Sequence, residues 1–322
     1  MKTKTAKYNT GLLRRFYRSL YLIRRAEEEI VNIYHTDKIK SPMHLSIGQE
    51  AVSVGVCGAL MPGDVVFGTY RGHAMYLAMG ADLKKMIAEL YGKETGCAGG
   101  KGGSMHLIDV KSGVMGTSAI VGTTIPLAVG YALALKYRSS GSLAVSFFGD
   151  GAVDEGDFHE SMNFAALKKL PVLFICENNL YAIHSHHLNR HHSDNITERA
   201  RTYGMKAARI DKQDIFKIYA ITKRFTADIR SGSGPAFIEC ITSRWKEHVG
   251  PNDDFNLGYR SEKEVLHWKN IDALKKVRAM LSSKDAMKIE LEADKSVKSA
   301  FAFAEESPFP KKEQLYKDVF KE

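Results

Sequence analysis

The stretch from residue 143 to 179 constrains the fold more than any other part of the chain. It opens with a continuous apolar run at 143–148, and Pro171 introduces a second run at 172–176. Between them Phe158, Met162, Ala165 and Ala166 recur at helical spacing within 154–170. Strand, helix and strand with short connections imply parallel strands joined by a right-handed crossover. Two further strand candidates, 207–210 and 236–242, flank a helical stretch at 213–230. The sum predicts an α/β fold, a doubly wound, mostly parallel sheet with helices on both faces. Ahead of it, Leu12, Leu13, Phe16, Leu20, Ile23, Ile30 and Ile33 keep helical spacing, and small residues fill 49–60. This predicts a helical section over 1–60. The chain reads as a single domain, 1–322, ending in a helical extension from about 262 that packs on the domain or on a partner subunit.

The strand ends carry the chemistry. Gly149-Asp150-Gly151 stands where the first run ends and Asn178-Asn179 where the second one ends, with 26 residues between the motifs. In a parallel sheet both emerge on the same carboxyl edge, where open α/β sheets bind ligands. The glycines let the backbone turn beside a bulky anion. Asp150 offers a carboxylate and Asn179 an amide oxygen, hard ligands suited to a Mg²⁺ that shares its shell with a phosphate group. A helix opening near Asp154 adds partial positive charge towards that anion. Gly-Asp-Gly alone is usually a turn and Asn-Asn is common in loops. It is their placement on consecutive strand ends that turns two weak signals into a metal–diphosphate site. Nine glycines between 92 and 122 predict loops that bend sharply or let a ligand approach the backbone.

Bulk properties exclude other classes. No apolar stretch nears the roughly 20 residues a membrane span needs, and the polar, basic residues 1–10 do not read as a secretory signal. Cys57, Cys97, Cys176 and Cys240 are widely spaced, which fits free thiols in a cytoplasmic setting. The net charge of +9 is spread along the chain without a nucleic-acid recognition motif, so an acidic protein is the only polyanionic partner left open.

The segment GDGAVDEGDFHESMNFAALKKLPVLFICENNLYAIH resembles the thiamine-diphosphate motif of the alpha subunits of 2-oxoacid dehydrogenases, the pyruvate, acetoin and branched-chain type. The resemblance runs from about residue 10 to about 265 and includes HLSIGQEA at 44–51, TYRGH at 69–73, GGKGGSMHL at 99–107 and AIVGTTIPLAVG at 119–130. It implies a thiamine-diphosphate-binding fold, with Mg²⁺ held by Asp150, the side chain of Asn179 and the backbone carbonyl of Tyr181. Gly149, Gly151 and Ala152 would lie along the diphosphate, with Tyr70 and Arg71 on its other side. Ala119 and Val121 would approach the aminopyrimidine and the middle of the cofactor. His73 and His248 would stand near the reacting end as catalytic residues, His248 on a mobile loop. The implied reaction is oxidative decarboxylation of a 2-oxoacid with acyl transfer to a lipoyl-bearing partner. The resemblance also implies a beta subunit that supplies the activating glutamate and the pyrimidine pocket, in an α2β2 heterotetramer.

Three features depart from that pattern. Ala182-Ile183 resembles the branched-chain type, whereas Glu155-Gly156 and Phe158-His159-Glu160 resemble the acetoin type. Glu247 puts a carboxylate beside His248, which predicts a raised imidazole pKa, and Val249 replaces the serine of some relatives. His184, His186, His187, His191 and His192 crowd one segment, which reads as a polar loop near the active site ahead of a metal cluster. A carboligase or transketolase-like enzyme would need the same cofactor site, and against a non-catalytic interaction protein that kept the fold stand the intact Arg71, Asp150, Asn179 and His248.

Overall fold

In a computed structural model, residues 8–39 and 41–317 are described. Residues 1–7 and 318–322, parts of the expected helical section and C-terminal extension, lie outside them. Six strands form the central sheet: β1 (Val65–Thr69), β2 (Val114–Ser118), β3 (Ala144–Gly149), β4 (Val172–Asn178), β7 (Lys206–Ile210) and β8 (Ala236–Ile241). They lie in the order β2-β1-β3-β4-β8-β7, and every pairing is parallel. A small antiparallel ribbon, β5 (Tyr181–Ala182) with β6 (Ser185–His186), follows β4 and leads into the short helix α7 (His187–Arg190).

Both faces of the sheet are covered, and the strand residues alternate between them as a pleated backbone requires. Val145 and Phe147 of β3 and Leu173 and Ile175 of β4 point into one core. Phe148, Val172, Phe174 and Cys176 point into the other. The first core receives α1 (Thr10–Tyr34), α2 (Glu50–Cys57), α3 (His73–Ala78) and α4 (Leu83–Leu90). From later in the chain it also receives α9 (Ile215–Asp228), α10 (Glu262–Asn270), α11 (Ala273–Arg278) and α12 (Ser283–Glu306). The second core receives α5 (Thr124–Tyr137), α6 (Gly156–Leu167) and α8 (Ile196–Thr202). This is the expected α/β architecture. Strands β1 and β2 are additions to the sequence-based expectation, which assigns no element to 65–69 and reads 114–118 as glycine loop.

Helix α1 begins where the Asn9 side chain accepts from the Gly11 amide at 2.7 Å, which satisfies one of the free donors at a helix start. Its polar edge lies along α12, where Tyr17 Oη donates to Glu290 Oε1 at 2.5 Å and Arg25 pairs with Asp294 at 3.2 Å. The C-terminal helix therefore packs on the domain itself. Under it, Arg24 is buried between Glu50 and Asp272, its Nε 2.5 Å from Glu50 Oε1.

The glycine-rich stretch has a structural explanation. Glu89, fully buried on α4, accepts from the backbone amides of Ala98, Gly100, Gly102 and Gly103 at 2.7–3.1 Å. A Cβ on Gly96 would lie 2.3 Å from Glu89 Oε2. The group that approaches the backbone here is a carboxylate of the chain itself.

Candidate active site

The loops after β1, β3 and β4, three neighbouring parallel strands, open onto one cavity of about 280 Å³ at the carboxyl edge of the sheet. That position follows from topology. The chain leaves β1 for the edge strand β2 and returns to β3 on the other side of β1, so the connections part between β1 and β3 and leave a crevice. Thr69, Tyr70 and Arg71 come from the end of β1, residues 149–152 from the end of β3, and Glu177, Asn179, Tyr181, Ala182 and Ile183 from the end of β4. Gln49, Val121, Gly122, Asp154, Glu155 and His248 complete the wall. Of the residues singled out in the sequence, Tyr70, Arg71, Val121, Gly149, Asp150, Gly151, Ala152, Asn179, Tyr181 and His248 all line this cavity.

Two do not. Ala119 lies off the cavity with its amide 3.4 Å from His106 Nε2. His73 is fully buried, with Nδ1 3.0 Å from Glu27 Oε1 and Nε2 2.8 Å from Ser104 Oγ. It ties α1 to the glycine-rich loop, and its ring faces neither solvent nor the cavity lining.

The donor set fits a cation-borne anion. Asp150 is 1% exposed, and burial pushes its pKa up while the Arg190 guanidinium works against that rise. Asn179 donates Nδ2 to Gln49 Oε1 at 2.9 Å and accepts the Tyr181 amide on Oδ1 at 3.2 Å, which turns its oxygen side towards the loop. The turn is tight enough to hold Leu180 at φ +73° and Ile183 at φ +54°, left-handed conformations that side chains with a Cβ rarely adopt. A Cβ added at Gly149 would meet no protein atom within 4 Å, so the backbone there is open to a bulky group. Arg71 supplies the cationic wall. Burial lowers its pKa to about 10, which leaves it charged at neutral pH. One of its nitrogens is held by Leu45 O at 2.6 Å and the other lies 3.3 Å from His248 O.

His248 packs edge-on against His44 and Tyr70, at 5.1 and 5.7 Å between ring centres. Burial, followed by Arg71 and Arg244, lowers its pKa to about 3. This corrects the expectation of a raised value. The Glu247 carboxylate turns instead to the Asn252 amide at 2.9 Å, and two guanidinium groups take its place in the field at the ring. The His248 loop is pinned at its base, where buried Asp254 accepts from Arg244 at 3.0 Å and from Arg260 at 2.8 Å.

Sequence reasoning missed Gln49, Glu177, Asp154 and Arg190. Glu177 lines the cavity from the end of β4, and burial raises its pKa to about 7 against the opposing pull of Arg71. Its only sequence signal is adjacency to Asn178-Asn179. Arg190 lies on α7 and its two terminal nitrogens reach Asp150 and Asp154. Of the histidines of that segment, His187 and His191 pack ring against ring at 4.5 Å while the others turn to separate partners. His184 stacks on Tyr259 at 4.5 Å, the His186 ring caps Leu188 N at 3.2 Å, and His191 Nε2 lies 2.9 Å from Asp154. Among the described residues no group of three or more His, Cys, Asp or Glu side chains gathers around a metal position. No helix among them is long and apolar enough to cross a membrane.

Comparison with known proteins agrees with this geometry. The pattern of the family described as "Dehydrogenase E1 component" matches residues 18–313. The chain is 38% identical over 308 residues to the alpha subunit of acetoin:2,6-dichlorophenolindophenol oxidoreductase of Bacillus subtilis (strain 168), covering 94% of this chain and 92% of that one. It is 38% identical over 311 residues to the pyruvate dehydrogenase E1 component subunit alpha of Zymomonas mobilis, covering 94% and 87%. To the corresponding subunit of Rickettsia typhi it is 34% identical over 310 residues, covering 94% of both chains.

Proposed function

This chain belongs to the dehydrogenase E1 component family, and from that premise we propose that it is the alpha subunit of a 2-oxoacid dehydrogenase acting on a pyruvate- or acetoin-like substrate. The family depends on thiamine diphosphate. When bound, that cofactor supplies the stabilised carbanion chemistry that lets a 2-oxoacid lose CO₂. The observation that carries the reading is the meeting of Arg71, Asp150, Asn179 and His248, far apart in sequence, around one cavity at the sheet edge.

The chain's own groups have distinct work. Asp150, the Asn179 amide oxygen and the Tyr181 carbonyl are the hard oxygens for Mg²⁺. Arg71 offers a fixed fork of donors to the diphosphate, and Gly149 keeps the backbone clear beside it. His248, held neutral at neutral pH by burial and then by Arg71 and Arg244, offers an uncharged imidazole to the reacting end. A cavity of about 280 Å³ is small beside the roughly 300–1,000 Å³ of whole ligand sites. Exposed Val121 stands in its wall, next in the chain to exposed Ile120. Both features suit a site completed by a beta subunit in an α2β2 assembly. Acyl transfer to a lipoyl-bearing partner and a cytoplasmic setting, consistent with four free cysteines, complete the proposal.

The test is co-expression with a beta subunit, followed by two assays with thiamine diphosphate and Mg²⁺. One reads CO₂ release from pyruvate and the other reduction of 2,6-dichlorophenolindophenol by acetoin. Turnover in either, lost in Asp150→Ala, supports the reading and selects the substrate. Cofactor binding without turnover in both, but with condensation onto an aldehyde, would move the assignment to a carboligase.

A further inference from the structure

Arg190 occupies the carboxylate on which the metal site depends. One terminal nitrogen lies on Asp150 Oδ2 and the other on Asp154 Oδ2. Asp150 is 1% exposed, so an ionised carboxylate there has little water to stabilise it and needs a positive partner. The nearby imidazoles are poor candidates for that part. His187 Nε2 lies 3.2 Å from Ser193 O, and His191 Nε2 reaches Asp154 rather than Asp150. The guanidinium is the permanent charge in contact with Asp150, since arginine does not deprotonate in proteins.

The fit of this pairing is incomplete. Arg190 Nε is buried with no hydrogen-bond partner among the described residues, although both terminal nitrogens are engaged. Two carboxylates, rather than a cradle shaped around the whole guanidinium, hold the side chain there. Of the two, Asp154 is 35% exposed while Asp150 is shut in, so Asp154 can keep the arginine after Asp150 lets it go. His191 Nε2, 2.9 Å from Asp154 Oδ1, steadies that carboxylate from its other oxygen.

We infer that Arg190 is the resident counter-cation of Asp150 in the metal-free protein, and that a divalent cation binds by exchanging with its guanidinium. The inference rests on the reading of Asp150 as a metal ligand and adds a competitor to it. Both cations need the same carboxylate, and like charges cannot share it at contact distance. Metal affinity is therefore reduced by the free energy of breaking the Arg190–Asp150 pair, and the empty protein is protected from a buried unpaired charge. On metal binding the arginine stays on Asp154, at the rim of the same cavity.

The test uses the assembled alpha–beta protein after chelation, with Mn²⁺ alone as the probe and free Mn²⁺ read by electron paramagnetic resonance. Arg190→Gln is expected to bind Mn²⁺ at least tenfold more tightly than the wild type, with Arg190→Lys in between. Metal-free Arg190→Gln is also expected to melt lower and to recover more on Mn²⁺ addition. If Arg190→Gln does not fold, tighter binding by Arg190→Lys supports the exchange in its place. Binding no tighter than wild type in these variants, while Asp150→Asn abolishes it, overturns the exchange and leaves the metal site intact. Wild-type Mn²⁺ affinity in Asp150→Asn overturns the site reading and the exchange with it.

Discussion

Nδ2 of Asn179 donates to Oε1 of Gln49 at 2.9 Å, joining the loop after β4 to the residue ahead of α2. The contact fixes which end of the Asn179 amide faces the cavity. With the NH₂ group engaged by Gln49 and one lone pair of Oδ1 taken by the Tyr181 amide, the second lone pair of the oxygen is what is left for a cation. Partners that orient a ligand in this way typically contribute about 10–100-fold to metal affinity. Gln49→Leu should therefore weaken Mg²⁺ binding by about that factor in the presence of thiamine diphosphate. Calorimetric titration of the alpha–beta assembly measures it, and an unchanged affinity would mean the amide orients itself.

Buried titratable groups in the cavity wall, and His44 packed behind Tyr70 and His248, set opposite pH trends. His248, at about 3, and His44, at about 2, are uncharged in the fold across the range where an unfolded histidine, near 6.5, takes up a proton. The unfolded chain then binds more protons, so their effect is a stability that falls as pH drops below about 6.5 towards the folded values. Glu177 runs the other way. Its folded pKa of about 7 lies above the ordinary carboxyl value of 4.5, so its stabilising effect is present below 4.5 and lost as pH rises to about 7. His248→Gln should flatten the acid limb of a melting-temperature profile by a few degrees between pH 6.5 and 5. Glu177→Gln should raise the melting temperature more at pH 8 than at pH 5. Parallel profiles in either variant would remove that residue from the pH response.

How much of this is legible in the sequence depends on how local each signal is. The strand ends carrying Asp150 and Asn179 can be read because each motif terminates its own apolar run, and their register then follows from parallel pairing. Strands β1 and β2 are hidden by Gly68 and Gly116, which break a short apolar pattern, and the pairing itself slips by one residue between Val66–Val114 and Phe67–Gly116. His73 stands in a motif beside Arg71, yet it starts α3 with its ring turned inward between Glu27 and Ser104. Glu177 and Arg190 are ordinary charged residues until folding puts one in the cavity and the other on a carboxylate 40 positions away. Field and proximity of that kind have no sequence period. The same lack of a local signal explains why Glu247, adjacent to His248 in the chain, suggests a charge effect opposite to the one that Arg71 and Arg244 impose.

Glu89 gives the glycine-rich loop its shape, so its removal should be felt there first. Glu89→Ala leaves the amides of Ala98, Gly100, Gly102 and Gly103 without their acceptor. A fully buried donor left unpaired costs about 1–3 kcal/mol, and for these part-buried amides water entering the gap would recover part of it. A loss of at least about 3 kcal/mol in urea unfolding is expected, with Glu89→Gln losing less because one oxygen remains an acceptor. Equal stability of Glu89→Ala and the wild type would show that the loop holds itself.

Asp254 has the same part in the His248 loop, with higher stakes because its partners are charged. It is fully buried and takes Arg244 on Oδ2 and Arg260 on Oδ1, while Arg260 also donates to the carbonyls of Arg244 and Lys246. Asp254→Ala would strand two buried guanidinium groups, a change that typically costs about 3–5 kcal/mol. Arg244→Met should cost a comparable amount by leaving the carboxylate short of a cation. Because both variants break one network, the double variant should lose clearly less than the sum of the two, which chemical denaturation of all four proteins measures. Additive losses would mean that Arg244 and Asp254 act separately, and that the loop holding His248 against Arg71 is fixed by its backbone contacts, such as Gly250 N to Met43 O at 2.9 Å.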